Sequence, residues 1–159
     1  MTTATDQGTD THQSLALMSH LARVARRGTE QALAPLGLRP RHLVALTLLR
    51  DQGPATQQAL IEALRIDPSN LVGLLNELEQ RKLLVRERDQ EDRRRHIVVL
   101  SAAGAKTVRR AERALAAVQD DVLQSLSGDE RDTLHDLLLR AAGGQLPSTS
   151  CTEVVAEDC

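Results

Sequence analysis

Between residues 14 and 33 the apolar positions Leu17, Leu21, Val24 and Gly28 recur at helical spacing, and Pro35 and Gly37 stop the run. After the Leu38-Arg39-Pro40 corner, Leu43, Val44, Leu46, Leu48 and Leu49 predict a second helix, apolar over much of its circumference as a central helix is. Asp51-Gln52-Gly53-Pro54 ends it. A short helix follows from about Thr56 to Leu64, with Leu60, Ala63 and Leu64 directed inward. Asp67-Pro68 then reads as an N-cap with proline in the first turn, where its missing donor would be unpaired anyway.

In the helix this opens, SNLVGLLNELEQR, Leu71, Leu74, Leu75 and Leu78 form one apolar stripe. Ser69, Gly73, Asn76 and Gln80 fall on the opposite face, with Asn70 and Val72 beside them. That face is small, neutral and hydrogen-bonding, whereas a merely solvated helix more often carries Lys and Glu pairs. Helix capping is the plainer use of Ser69 and Asn70.

Two strand-like runs come next, Leu83 to Arg88 and His96 to Leu100, around the connector DQEDRRRH. The connector is longer than a tight turn, so the hairpin tip should project. A long helix is expected from Ala102 to Leu126, with Val108, Ala111, Leu115, Val118 and Val122 spaced three, four, three, four, as a helix-helix seam requires. Ser127-Gly128-Asp129-Glu130 matches a capping box, and a final helix carrying Leu134, Leu137, Leu138 and Ala141 ends at Gly143.

A helix-turn-helix pair followed by a β-hairpin is the order of a winged helix, which lays its second helix in the major groove of DNA while the hairpin meets the neighbouring backbone or minor groove. Charge agrees with this. The formal net charge is −2, yet from Arg81 to Arg110 ten basic residues face four acidic ones. Positive charge is thus concentrated around the hairpin, where a phosphate surface would attract it. A solvated charged loop is the alternative reading of the arginines.

Composition narrows the function further. With 159 residues the chain suits one domain, and 26% charged residues is an ordinary globular profile. There is no Phe, Tyr or Trp, so the core is aliphatic and recognition by base stacking on rings is excluded. No metal-spaced His or Cys cluster and no catalytic motif occurs, so no cofactor, no metal and no enzymatic activity is expected. No signal peptide and no spanning apolar segment is visible, which points to a cytoplasmic protein that does not enter a membrane. Cys151 and Cys159 lie in a small-residue tail with no basic neighbourhood, which suits incidental thiols better than a redox pair.

The segment IDPSNLVGLLNELEQRKLLVRERDQEDRRRHIVVLSAAG, residues 66 to 104, resembles the MarR family of bacterial transcription regulators. Asp92-Arg93-Arg94 followed by Leu100-Ser101 and Gly104 carries the likeness, at the family's distance after the DPSNLV helix, and the resemblance extends from about Leu15 to Ala142. It implies a mainly α protein with a small β-hairpin. A winged helix-turn-helix over 38–100 would be flanked by dimerisation helices at 14–35 and 102–142, with tails at 1–13 and 143–159. It also implies a homodimer on pseudo-palindromic double-stranded DNA, usually repressing until a small anionic or aromatic effector releases it. By motif position Ser69, Asn70, Val72, Gly73 and Asn76 would face base edges, Arg94 would enter the minor groove, Asp92 would orient the arginines, and Arg93 and Arg95 would serve phosphates or the wing. The interface between copies would use Leu17, Leu21, Val108, Leu115, Val118, Val122, Leu134 and Leu138. His20, Arg23, Arg41 and His42 are polar residues near the cleft where an effector would sit.

Two departures stand out. Many members have arginine near Gly73, so a bidentate guanine contact is missing there. Many have glycine where Lys82 stands, so either the left-handed cap is strained or the helix ends differently. A winged helix that docks proteins and not DNA is the competing class, since fold alone does not fix function.

Overall fold

The computed structural model describes residues 9–89, 92 and 95–144. Helix α1 spans Thr9–Leu33 and so begins five residues ahead of Ser14. A 3-10 turn over Ala34–Leu36 follows, and Gly37 at φ 62° ends it. The Leu38 N–H returns to the Leu33 carbonyl at 3.1 Å and the Gly37 N–H to the Ala34 carbonyl at 2.8 Å, the paired bonds that close a helix on a left-handed residue.

Helix α2 (Pro40–Gln52) is the centre of the core, with Leu43, Val44, Ala45, Leu46, Leu48 and Leu49 all buried. Strand β1 (Ala55–Thr56) comes next and pairs with the hairpin, Ala55 opposite Val98 and Thr56 opposite Ile97. Two residues are too few for alternation to show, so the sequence reading has a loop and helix start there. Thr56 also accepts from the Ala59 N–H at 3.1 Å and caps α3, Gln57–Leu64. On α3 Leu60 and Leu64 are buried, whereas Ala63 is exposed. The inward arc leans toward Ile61, which packs on the core in its place.

Helix α4 (Pro68–Gln80) buries Leu71, Leu74, Leu75 and Leu78, the expected stripe. Asp67 occupies the N-cap position, but its side chain makes no capping bond. Strands β2 (Leu84–Arg88) and β3 (His96–Leu100) pair antiparallel from Leu84 opposite Leu100 to Arg88 opposite His96. The sheet therefore runs β1-β3-β2, one strand more than the expected hairpin. Helix α5 (Ala102–Val122) stops four residues before Leu126, and α6 (Gly128–Ala141) starts from the Ser127–Glu130 capping box, with both reciprocal bonds formed.

The seam along α5 needs correction. Val108 has 0% exposure and belongs to the core of the single chain, which leaves it no surface for a partner. Leu115 packs against the same core, and Val118 lies against α1, where a Cβ on Gly28 would come 2.6 Å from Val118 Cγ1. These side chains are engaged by α1 and α2 within one chain. At Val108 the spacing records an intrachain crossing, which periodicity alone cannot tell from an interface between copies. The apolar surface left over lies elsewhere: Leu15, Leu17, Met18, Leu21 and Val24 on α1, and Leu137 and Leu138 on α6, are exposed.

Candidate nucleic-acid interface

Helix α4 presents Ser69, Asn70, Val72, Gly73 and Asn76 to solvent while its leucines enter the core beside α3 and β2. The capping explanation of the polar residues does not hold. Among the described residues the side chains of Ser69 and Asn70 make no hydrogen bond within the chain, and α4 has no side-chain cap. Val72, an apolar side chain 44% exposed, sits in the middle of this face. A Cβ built on Gly73 would meet nothing within 4 Å, so no neighbour in the chain requires a glycine there. Gly73 makes the outer face of α4 flat.

The end of α4 holds the strain expected at Lys82. Arg81 closes the helix, and Lys82 is left-handed at φ 57°. The Leu83 N–H bonds to the Leu78 carbonyl at 3.0 Å and the Lys82 N–H to the Glu79 carbonyl at 2.8 Å. The helix therefore terminates as it would with glycine, and lysine bears the steric cost. Ser101 Oγ donates to the Lys82 carbonyl at 2.7 Å and accepts from the Gly104 N–H at 2.9 Å, which fixes the start of α5 against this corner.

Arg86 on β2 reaches back to α4. Its Nη1 donates to Glu79 Oε2 at 2.8 Å and its Nη2 to Asn76 Oδ1 at 2.8 Å, while its backbone N–H bonds to Glu79 Oε1 at 3.3 Å. Arg81 turns the other way, donating to the Gly37 carbonyl at 2.5 Å and the Leu36 carbonyl at 2.6 Å. Both arginines belong to the basic cluster counted from Arg81 to Arg110, and both are consumed inside the fold. The charge available to an outside phosphate is correspondingly smaller than the sequence count implies.

A third link joins α4 to the start of α2. The Arg39 N–H donates to His42 Nδ1 at 3.2 Å, so Nε2 carries the proton of the neutral ring and donates to Glu77 Oε2 at 3.1 Å. Arg39 also pairs with Glu77 directly. Burial holds His42 below the ordinary histidine range, helped by the Arg39 charge and opposed by Glu77. Arg39 holds the Glu77 carboxyl below its usual range against some desolvation. With both ring nitrogens engaged, His42 is a structural link and not a free anchor for an effector. None of the residues that position α4 (Arg39, His42, Glu77, Glu79, Arg81, Arg86) follows from helical or strand periodicity, because each bond crosses between elements.

At the wing, the Arg95 N–H bonds to the Asp92 carbonyl at 2.8 Å and the Asp89 N–H to the Arg95 carbonyl at 2.9 Å. Asp92 and Arg95 are exposed there. Arg93 and Arg94 lie outside the described residues, as do Cys151 and Cys159. No metal-holding group of His, Cys, Asp and Glu occurs among the described residues. No described helix is long and apolar enough to cross a membrane.

A helix pair whose second member carries an outward polar face, followed by the hairpin of a three-stranded sheet, defines a winged helix-turn-helix protein. Residues 38–96 match the MarR family model. The chain is 33% identical over 104 residues to a protein of Thauera aromatica named for transcriptional regulation of the hcr operon, covering 65% of this chain and 63% of that one. It is 33% identical over 95 residues to the HTH-type transcriptional repressor NicR of Pseudomonas putida, covering 60% of each. The alignments thus span less than two thirds of these relatives. Escherichia coli MarR in its apo form superposes with a TM-score of 0.71 at 22% identity, covering 79% of this chain and 93% of that one. A MarR variant complexed with operator DNA superposes at 0.65 and 21% identity, covering 86% and 99%. Residues 38–96 thus resemble the MarR family, and the described chain shares the winged-helix fold of these solved structures.

Proposed function

We propose that this protein is a sequence-specific double-stranded DNA-binding transcriptional regulator, most simply a repressor. The observation that carries this is the outer face of α4, where Ser69, Asn70, Val72, Gly73 and Asn76 stand exposed beside the basic wing and the side chains of Ser69 and Asn70 make no hydrogen bond among the described residues. A groove lined by base edges supplies acceptors for Asn and Ser and a methyl for Val72. The wing, from Asp92 to Arg95, would meet the adjacent backbone or minor groove, with Arg94 as the inserted residue. The names of the relatives and the operator complex of a MarR variant support the same reading.

The active form in this reading is a homodimer. Exposed Leu17 and Leu21 on α1 and Leu138 on α6 supply the contact, and the two recognition helices sit about one DNA turn, near 34 Å, apart. Release would come from a small anionic or aromatic effector that alters this spacing. Titration of fluorescent operator-like duplexes at increasing salt tests the proposal. Neutralising about six to ten phosphates per dimer gives a log-log slope of roughly −5 to −9, whereas a flat response would favour a protein-docking winged helix.

A further inference from the structure

Arg86 does more than hold β2 against α4: we infer that it fixes which chemical group the recognition helix offers at Asn76. An arginine side chain has donors only, so the Asn76 atom 2.8 Å from Arg86 Nη2 is the carbonyl Oδ1. The guanidinium cannot drift toward another arrangement, because Glu79 holds Nη1 at 2.8 Å and the Arg86 backbone N–H at 3.3 Å. Asn76 is exposed while Arg86 is half-buried behind it. The acceptor of the amide is thus drawn back toward the wing strand, and Nδ2 with its two N–H donors is what the helix presents.

On the DNA-binding reading, on which this inference rests, that orientation has a consequence for sequence. A free asparagine reads adenine by accepting from N6 and donating to N7 together. Arg86 holds the Asn76 oxygen back toward the wing strand, so the amide faces outward as a donor; guanine answers it with two acceptors, N7 and O6, and thymine with O4, whereas adenine offers only N7 with the N6 amino donor opposing the second N–H. Arg86 is then a positioning residue for specificity although it touches no base. It converts an adenine-reading side chain into a guanine- or thymine-reading one.

The test is selection of full-length protein on a randomised duplex library, comparing the native chain with Asn76→Ala, Arg86→Met and Asn76→Asp. The position whose preference disappears in Asn76→Ala should be guanine or thymine in the native chain. Arg86→Met should reduce that preference by about fivefold or more and raise adenine, the lower end of the discrimination a good base contact provides. Asn76→Asp keeps the Arg86 bond but has no donor, so its preference should move to cytosine, and it remains informative if Arg86→Met folds poorly. Adenine at the Asn76-dependent position of the native chain would overturn the inference. So would an unchanged preference in Asn76→Asp, or a uniform loss on all sequences in Arg86→Met. Side-chain amide relaxation of Asn76 in the free protein separates this idea from DNA binding itself. Absence of duplex binding refutes the function, whereas a mobile Asn76 amide in the native chain refutes the positioning by Arg86.

Discussion

Gly104 stands so close to Leu83 that a Cβ on it would lie 2.0 Å from the Leu83 carbonyl oxygen. That oxygen accepts the Ser101 N–H at 3.1 Å, so the first turn of α5 is seated directly on the corner between recognition helix and wing. Backbone cannot yield as a flexible side chain can. Gly104→Ala should therefore cost at least the roughly 1–3 kcal/mol of an overpacked core site, read as a lower urea midpoint, with amide shifts spreading to Lys82 and Ser101. Native stability in this variant would show that the corner opens freely.

Lys82 carries a left-handed backbone in a helix ending otherwise built for glycine. Lys82→Gly removes the steric cost of a Cβ there, worth roughly 1–2 kcal/mol, and adds back part of it through the greater freedom of the unfolded chain. A net gain of about 1 kcal/mol is expected in chemical denaturation. An alanine at the same place should give no gain, since its Cβ keeps the strain.

The burial of His42 makes stability depend on acidity. Burial holds the histidine pKa below 6.5, so the unfolded chain takes up the proton first as the pH falls. Its contribution is complete above about 6.5 and is lost as the pH drops from there toward the folded value. Glu77, held low by Arg39, adds a second loss in the same direction as the pH falls through its own lowered value. Urea midpoints taken from pH 8 to about pH 3 should be level at first and then decline. His42→Gln, which keeps a donor and an acceptor without titrating, should abolish the upper part of the decline and leave the lower.

Leu17 is 63% exposed on α1 in the single chain, in line with Leu21, Val24 and Met18. Leu17→Glu should leave the fold intact, since the core does not include this residue, and should weaken self-association by tenfold or more, on the order of 1.4 kcal/mol. Sedimentation of the native chain and the variant over a concentration series checks both halves. A native chain that sediments as a monomer while binding a palindrome tightly would remove the dimer from the proposed mechanism.

What could be read in the sequence followed the reach of each signal. The leucine stripe of α4 and the Ser127–Glu130 capping box are local patterns, and both stand in the structure as the chain spells them. Strand β1 escaped because two residues carry no period, and its pairing with Val98 lies more than forty residues away. The α5 seam was legible as a seam, but its partner was not. Val108 and Val118 look alike in a heptad whether the facing helix belongs to the same chain or to another. The arginines show the same limit for charge: Arg81 and Arg86 count as basic residues in the sequence, and only the fold reveals the carbonyls and the carboxylate that use them.

Gly73 separates stability from recognition on a single residue. It sits inside α4 with open space where a Cβ would go, so Gly73→Ala should stabilise the free protein by about 0.5–1 kcal/mol through helix propensity alone. If the outer face of α4 lies against base edges, the added methyl occupies space the DNA needs, and affinity for a specific duplex should fall as stability rises. Binding and denaturation measured on the same preparation decide this. A variant that gains stability and keeps its full affinity and sequence preference would move the contact surface away from the middle of α4, whatever role the wing retains.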